Sequence, residues 1–205
     1  MKFQWEIIKK FFEENKNFIV KHHLESYNDF FNHGIHQIFR ENNPIRFFKE
    51  KNPETKLFKY NCDIYLGGRD GTQLYYGKPV IYDNERMHVM YPNEARLRNM
   101  TYGFTIHYDV FVEFTIYNDE GKEMLDEFDK KYTLLLEKIL LGRFPIMLQS
   151  NLCVLNNLSK KVRFYMGECR NDPGGYFIIS GKEKVIISQE KFANAPSRDL
   201  KMDSE

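Results

Sequence analysis

The chain has 205 residues and a formal net charge of +1 at pH 7, and its composition is 42% hydrophobic and 29% charged. This length suits one domain with a substantial core, or one domain with a helical appendage. The near-neutral charge excludes a global basic footprint, so any contact with nucleic acid must be local.

The cysteines and the apolar runs indicate a compartment. Cys62, Cys153 and Cys169 are widely spaced and form no C-x-x-C pair, which disfavours a disulfide framework and a zinc ribbon. The apolar segment 5–12 is interrupted by charged residues, and no run approaches the roughly 20 residues of a membrane span. We therefore expect an intracellular protein in a reducing compartment with no membrane partner.

Residues 1–42 show helical periodicity. A first amphipathic helix is predicted from apolar residues at helical spacing, which are Phe3, Ile7, Ile8, Phe11 and Phe12. A second helical region has an apolar stripe comprising Tyr27, Phe30, Phe31, Ile35, Ile38 and Phe39. Ser26 and Asp29 match a capping box with Asp in the Glu position, and the stripe ends before Asn42-Asn43-Pro44.

From residue 57 the period changes to two. A strand is predicted from the alternating residues Phe58, Tyr60, Cys62, Ile64 and Leu66, and a glycine-rich turn at 67–71 ends it. Further extended segments are predicted at 74–76, 80–82, 104–117, 132–141 and 145–148. Residues 122–131 are predicted as a short helix or ordered loop, and residues 151–158 as helical or turn-like.

These patterns predict an α+β fold, in which N-terminal amphipathic helices pack on a mostly antiparallel β-sheet and the chain ends in a β-hairpin. The predicted domain spans residues 1–193, helical over 1–42 and β-rich over 56–193. Residues 194–205 are polar and are predicted to form a disordered tail.

The hairpin prediction rests on the closing segment 167–191. Two apolar runs, Tyr176–Ile179 and Val185–Ile187, flank the polar link Ser180–Lys184. A proline and paired glycines before the first run allow the chain to reverse at 172–175. Backbone geometry is the role predicted for Pro173, Gly174, Gly175 and Gly181.

Several patterns suggest chemistry without completing a site. His33 and His36 share a helix face, but no nearby Cys completes a four-ligand metal site. Residues 71–78 depart from a phosphate-binding loop in their glycine spacing, and Pro79 stands where a Mg²⁺-binding hydroxyl is required. The carboxylates at 123–129 fit a solvated face. No catalytic residue and no metal ligand is therefore predicted.

Four sequence blocks occur in the order known from one protein family. They lie at 23–30 (His-Leu-Glu-Ser-Tyr-Asn-Asp-Phe), at 92–102 (Pro-Asn-Glu-Ala-Arg-Leu-Arg-Asn-Met-Thr-Tyr), at 142–148 (Gly-Arg-Phe-Pro-Ile-Met-Leu), and at 167–190, where Gly-Glu-Cys precedes Gly-Gly-Tyr-Phe-Ile-Ile-Ser-Gly-Lys-Glu-Lys-Val-Ile-Ile-Ser-Gln-Glu. By these blocks the chain resembles the N-terminal part, the protrusion, of the second-largest (β-like) subunit of multisubunit DNA-directed RNA polymerases of eukaryotic, archaeal and large-DNA-virus type.

The resemblance implies one wall above a DNA cleft, with the final hairpin facing the RNA–DNA hybrid. It implies nucleic-acid contacts by Lys184 and Gln189, with Lys182 and Lys191 as supporting cations. In this family the Mg²⁺-binding aspartates belong to the largest subunit, so we expect no cofactor in this chain and no activity from it alone. The expected partners are the remaining part of the second-largest subunit, the largest subunit, the DNA template and the RNA–DNA hybrid.

Two questions stay open from the sequence. Arg96 and Arg98 could pair with Glu94 or Asp109, or they could contact nucleic acid. The family polypeptide also continues far beyond the length of this chain, which suggests the first piece of a split subunit, a fragment, or a truncated relative. A first piece should leave an unpaired sheet edge and exposed apolar surface.

The alternative function is a stand-alone interaction module, or a polymerase regulator or decoy without transcription activity.

Overall fold

The computed structural model of the protein describes residues 2–14, 17–51, 53, 58–83, 86–117, 123–124 and 132–189. Within these ranges, N-terminal helices precede sheets in which every pair of strands is antiparallel. The predicted α+β class is therefore confirmed. The predicted tail at 194–205 lies outside the described residues.

Three α-helices form the N-terminal part, and they are α1 (Lys2–Glu14), α2 (Lys21–Asp29) and α3 (Ile35–Asn42). A 3₁₀ turn at Phe18–Val20 precedes α2, and a π-helical turn at Phe30–Gly34 joins α2 to α3. Both flanks of the π turn keep right-handed helical backbone angles, so α2 and α3 form one nearly continuous rod. Because α2 begins at Lys21, Ser26 lies inside the helix and the capping-box prediction is wrong.

One side of this rod contributes to the core. Phe31, Ile35 and Phe39 of the predicted stripe are buried, whereas Phe30 and Ile38 are 40% and 49% exposed. Every described side chain of α1 is exposed, so α1 adds nothing to the core of the described chain. The prediction that helices pack on the sheet therefore holds for α2 and α3 and not for α1.

The main sheet has six strands, and they are β1 (Ile45–Lys51), β2 (Phe58–Leu66), β3 (Leu74–Tyr76), β6 (Gly103–Tyr117), β7 (Glu123–Met124) and β8 (Tyr132–Pro145). The central strand β6 pairs with β8 from Gly103 to Phe114. Strand β2 pairs with residues 110–116 of β6 and β3 with residues 106–108, so both lie on the edge of β6 opposite β8. Strand β1 pairs with β2, and among the described residues β1, β3, β7 and β8 each pair with a single strand and so form the edges of the sheet.

Two small ribbons flank this sheet. One is formed by β4 (Val80–Asp83) and β5 (Arg86–Val89), and the other by β9 (Phe177–Ile179) and β10 (Lys182–Lys184). Two short helices lie between them in sequence, α4 (Pro92–Leu97) and α5 (Lys160–Tyr165). Residues 151–158 consist mainly of turns, which agrees with the turn-like alternative for that segment.

No pattern in the sequence predicts strand β1. All seven of its residues are exposed, so its sequence carries no alternation of buried and exposed positions. Its order comes from hydrogen bonding to β2, with Ile45 opposite Ile64 and Lys51 opposite Phe58. Of the predicted helix or loop at 122–131, only residues 123–124 are described, and they form β7.

The strand predicted at 145–148 is wrong, because β8 ends at Pro145. The next residues bond to two different segments: the amide of Ile146 donates to the carbonyl of Tyr102 at 2.9 Å, and the amide of Leu148 donates to the carbonyl of Tyr176 at 2.9 Å. This apolar run is therefore buried by bridging two parts of the fold and not by joining a ladder.

The core lies at one end of the main sheet. It contains the fully buried residues Met90, Ala95, Tyr102, Ile106, Leu148 and Ile178, with the buried faces of α2 and α3 packed against them. At the opposite end β1 is exposed throughout, and β8 is exposed from Tyr132 to Lys138. The well-packed end of the fold is thus the end that carries the β9–β10 hairpin.

Candidate nucleic-acid interface

The β9–β10 hairpin turns through two residues, Ser180 and Gly181, whose φ angles are 49° and 74°. Positive φ at both positions is typical of a type I′ turn, whose twist matches that of paired strands. The register places Lys182 opposite Ile179 and Lys184 opposite Phe177. The predicted hairpin is confirmed, but the prediction of its second strand at 185–187 is wrong, because the strand is 182–184.

The turn before the hairpin depends on glycine. Gly174 and Gly175 have φ angles of 74° and 78°, and an Asp172 carboxylate oxygen accepts a hydrogen bond from the Gly174 amide at 2.8 Å. A Cβ atom at Gly174 would lie 2.5 Å from the carbonyl oxygen of Leu148, which no side chain could tolerate. Pro173 precedes the pair and is exposed. This turn directs the chain back into the core at Ile178.

The hairpin is held on the segment that follows α4. The Tyr102 amide donates to the Ile178 carbonyl at 3.0 Å, and the Gly181 amide donates to the Met100 carbonyl at 3.0 Å. Ile178 between these bonds is 0% exposed. The ribbon is therefore part of the core at Phe177 and Ile178, whereas Ile179 and all of β10 are exposed.

Arg96 of α4 connects the hairpin to the preceding loop. Its guanidinium donates to both carboxylate oxygens of Glu168 at 2.9 and 3.1 Å, to the Tyr176 hydroxyl at 2.8 Å, and to a Glu183 carboxylate oxygen at 2.9 Å. Glu168 is 4% exposed, so Arg96 supplies the partner that a buried carboxylate requires. Tyr176 in turn donates to an Asp172 carboxylate oxygen at 2.5 Å. We call Arg96, Glu168, Tyr176 and Glu183 the Arg96 cluster.

The surroundings shift the pKa values of two members of this cluster, Arg96 and Tyr176. Burial lowers the pKa of the Arg96 guanidinium, but electrostatic interaction with Tyr176 and the hydrogen bonds and charge of Glu168 outweigh it, so the net shift is upward. Burial, followed by the hydrogen bond to Asp172, raises the pKa of Tyr176 above its ordinary value. Arg96 is therefore a cation, and Tyr176 a neutral hydroxyl, throughout the physiological range.

The four residues predicted to contact nucleic acid lie in different parts of the hairpin segment. Lys182 and Lys184 are both exposed on β10, and neither forms an ion pair with a carboxylate among the described residues. Side chains alternate along a strand, so Glu183 faces Arg96 while the two lysines point to the opposite side. Gln189 is exposed beyond the end of β10, and Lys191 lies outside the described residues.

Similarity to known proteins shows which family carries this hairpin. A family model described as RNA polymerase beta subunit matches residues 18–195. The chain belongs to the RNA polymerase beta subunit family. It corresponds to the N-terminal part of the second-largest polymerase subunit, as the sequence blocks predict. All of the β9–β10 hairpin and the Arg96 cluster lies within the matched residues.

Three relatives show the breadth of the match. The chain is 34% identical to DNA-directed RNA polymerase II subunit RPB2 of Eremothecium gossypii, over 92% of this chain and 15% of that protein. It is 34% identical to DNA-directed RNA polymerase subunit Rpo2N of Methanothermobacter thermautotrophicus, over 92% of this chain and 31% of that protein. It is 31% identical to DNA-directed RNA polymerase III subunit RPC2 of Schizosaccharomyces pombe, over 93% and 14%. The chain thus spans less than a third of the length of these relatives.

The two arginines of this polymerase-family chain have structural partners. Arg98 pairs with Glu94 at 3.1 Å, as one alternative from the sequence predicts, and also with Asp83 at 3.2 Å. Arg96 pairs instead with the residues of its cluster, which the sequence does not indicate because Glu168 is 72 positions away. Asp109, the other suggested partner, accepts from the Lys138 amide and the Tyr75 hydroxyl.

The two histidines considered as metal ligands form hydrogen bonds within the fold. His33 pairs with Asp29 at 2.8 Å, and His36 hydrogen-bonds the Gly71 carbonyl at 3.1 Å. Among the residues that the structure describes, no group of His, Cys, Asp and Glu is placed to hold a metal ion. In the same ranges, no helix has both the length and the apolar character needed to cross a membrane.

Proposed function

We propose that this chain forms part of the wall of the DNA and RNA–DNA hybrid cleft of a DNA-directed RNA polymerase, as a non-catalytic N-terminal piece of its second-largest subunit. The observation that carries the proposal is the β9–β10 hairpin, which lies in a chain of the polymerase family. It is fixed to the core through Ile178 and extends Lys182 and Lys184 into solvent.

The hairpin residues suit sequence-independent contact with a nucleic-acid backbone. Lys182 and Lys184 would act as point charges on phosphate oxygens, with Lys191 as a further cation. Gln189 would act as a neutral donor to the same backbone. Such contacts position a duplex or hybrid without reading its bases, which is what a cleft wall must do at every template position.

In this proposal the chemistry of RNA synthesis belongs to partner chains. The chain would assemble with the remaining part of the second-largest subunit and with the largest subunit, which would hold the catalytic Mg²⁺. The chain itself would hold no cofactor. The proposal also places the chain in an intracellular, reducing compartment, in keeping with its widely spaced free cysteines.

Crosslinking in a stalled elongation complex tests the proposal. The full chain, assembled with its partner subunits, would carry a photoreactive residue in place of Lys184, and a matched sample would carry it in place of the exposed Lys160 on α5. We expect position 184 to label template DNA or RNA and position 160 to label neither. Absence of labelling from position 184 in a transcriptionally active complex would overturn the assigned contact.

A salt titration of the same assembly gives an independent measurement. The affinity for nucleic acid falls as salt rises, and the Lys182→Ala/Lys184→Ala double variant should make this dependence less steep. The magnitude of the slope of log affinity against log salt should decrease by about 1 to 2, since each lost phosphate contact removes about 0.7 to 0.9. The control is Lys160→Ala/Lys161→Ala, which removes the same charge from α5. Equal slopes for the two variants would argue against a hairpin contact. Recovery of the chain outside any polymerase in a native pull-down would favour a stand-alone interaction module.

A further inference from the structure

We infer that Arg96 is a positioning residue that sets the direction in which the hairpin presents Lys182 and Lys184. The inference deepens the proposed function and rests on it for its consequence at nucleic acid. Its structural part, that the guanidinium of Arg96 orients β10 through Glu183, stands on the described contacts alone.

The guanidinium of Arg96 cannot rotate freely. One terminal nitrogen, Nη1, donates to both oxygens of Glu168, and the other, Nη2, donates to the Tyr176 hydroxyl. The Glu168 side chain is 3% exposed and that of Arg96 is 20% exposed. The Nε–H that remains is therefore aimed in one direction before it meets Glu183.

Glu183 is the part of the cluster that belongs to the hairpin. Its side chain is 57% exposed, and an ion pair of that exposure between two mobile side chains would contribute little. Here one partner is already immobilised by a buried carboxylate, so only Glu183 loses freedom when the pair forms. The contact consequently fixes β10 more firmly than an ordinary surface ion pair would.

The turn provides a second contact on the same helix end. The Gly181 Cα stands so close to α4 that a Cβ there would lie 3.0 Å from the Arg96 carbonyl oxygen and 2.8 Å from Asn99 Cα. The ribbon is thus held at its turn by backbone packing and at its middle by the side chain of Arg96. Two contacts at different points along β10 fix its rotation, and with it the direction of the outward-facing lysines.

The first test removes only the hairpin side of the contact. Glu183→Ala leaves Arg96 paired with Glu168 and Tyr176, so the unfolding midpoint of the full chain should stay unchanged. Hydrogen exchange of the backbone amides at 177–184 should accelerate at least threefold. Glu183→Gln keeps an acceptor oxygen at the same reach and should stay within twofold of the parent chain. The control is Glu25→Ala, which removes an exposed carboxylate paired with Lys21 and should leave the hairpin amides unchanged.

The second test places the same variants in the stalled polymerase with the crosslinker at position 184. We expect Glu183→Ala to spread or reduce labelling at least threefold, and Glu183→Gln to restore it. Unchanged exchange and unchanged labelling in Glu183→Ala would overturn the inference. If the parent chain itself fails to label nucleic acid while Glu183→Ala still accelerates exchange, the proposed function fails and the positioning by Arg96 stands.

Discussion

Gly181→Ala should be strongly destabilising, because Gly181 meets two independent demands. Its φ of +74° lies in the left-handed region, which costs an L-residue about 1–2 kcal/mol. An added Cβ would also lie 2.8 Å from Asn99 Cα and 3.0 Å from the Arg96 carbonyl oxygen, both of which are backbone atoms that cannot rotate away. Overpacking of this kind costs about 1–3 kcal/mol.

Together these terms predict a loss of about 2–5 kcal/mol in the free energy of unfolding. Detachment of the hairpin offers no cheaper escape, because it would expose Ile178, which is fully buried. With a urea m-value of roughly 2 kcal/mol per molar, the unfolding midpoint should fall by about 1–2.5 M. Equilibrium urea unfolding of the full chain, followed by circular dichroism, measures this shift.

Ser180 provides the matched control, since it occupies the other turn position with φ of 49°. Asn adopts positive φ more readily than Ser, so Ser180→Asn should be neutral or slightly stabilising. An unfolding midpoint for Gly181→Ala within experimental error of the parent chain, with unchanged exchange of the hairpin amides, would refute the claim that the turn is packed against α4.

Two further predictions concern the core and the acid response. Ile178→Ala should cost about 2–5 kcal/mol by urea unfolding, whereas Ile179→Ala, at a 39% exposed position, should cost less than about 1 kcal/mol; equal losses would contradict the burial of the hairpin. The hydrogen bond from His88, opposed by partial burial and assisted by Arg98, holds the pKa of Glu94 below its ordinary value of 4.5. A depressed folded pKa contributes stability above pH 4.5 that is lost as the pH falls through the folded value, so Glu94→Gln should show a flatter decline of unfolding free energy in that window, and an identical pH profile would count against the pairing.

The sequence predicts this fold best where one face of an element is buried. Strand β6 was predictable from alternation over 104–117, and Phe31, Ile35 and Phe39 from helical spacing, because burial imposes those periods directly. Strand β1 was not predictable, since it is exposed on both faces and depends on a partner strand for its order. The spacing of apolar residues indicates which side of an element is buried, but it does not indicate which strands pair by hydrogen bonds.

The errors at the hairpin and at 145–148 have different causes. Val185–Ile187 are apolar and β-branched, which favours a strand, yet the type I′ turn at Ser180–Gly181 fixes the pairing three residues earlier at Lys182–Lys184. Turn geometry here outweighs strand propensity. At 145–148, long-range hydrogen bonds to Tyr102 and Tyr176 replace a ladder, and no local pattern encodes them.

The position of the hairpin was predictable from the sequence, whereas the side chains that hold it in place were not. The lysines at 182 and 184 follow from the family blocks, but the pairing of Arg96 with Glu168 joins residues 72 positions apart that carry no sequence sign of each other. Such a pair becomes visible only when the fold has placed α4 beside the loop before the hairpin.

The order of charges along β10 also protects the alignment of the ribbon. A slip of one residue would turn Glu183 toward solvent and bring a lysine against the guanidinium of Arg96. The misaligned ribbon would place a lysine and Arg96 in repulsion and would present an anion to solvent in place of a cation. Three consecutive residues, Lys182, Glu183 and Lys184, therefore penalise the wrong strand pairing and favour the register in which Glu183 meets Arg96.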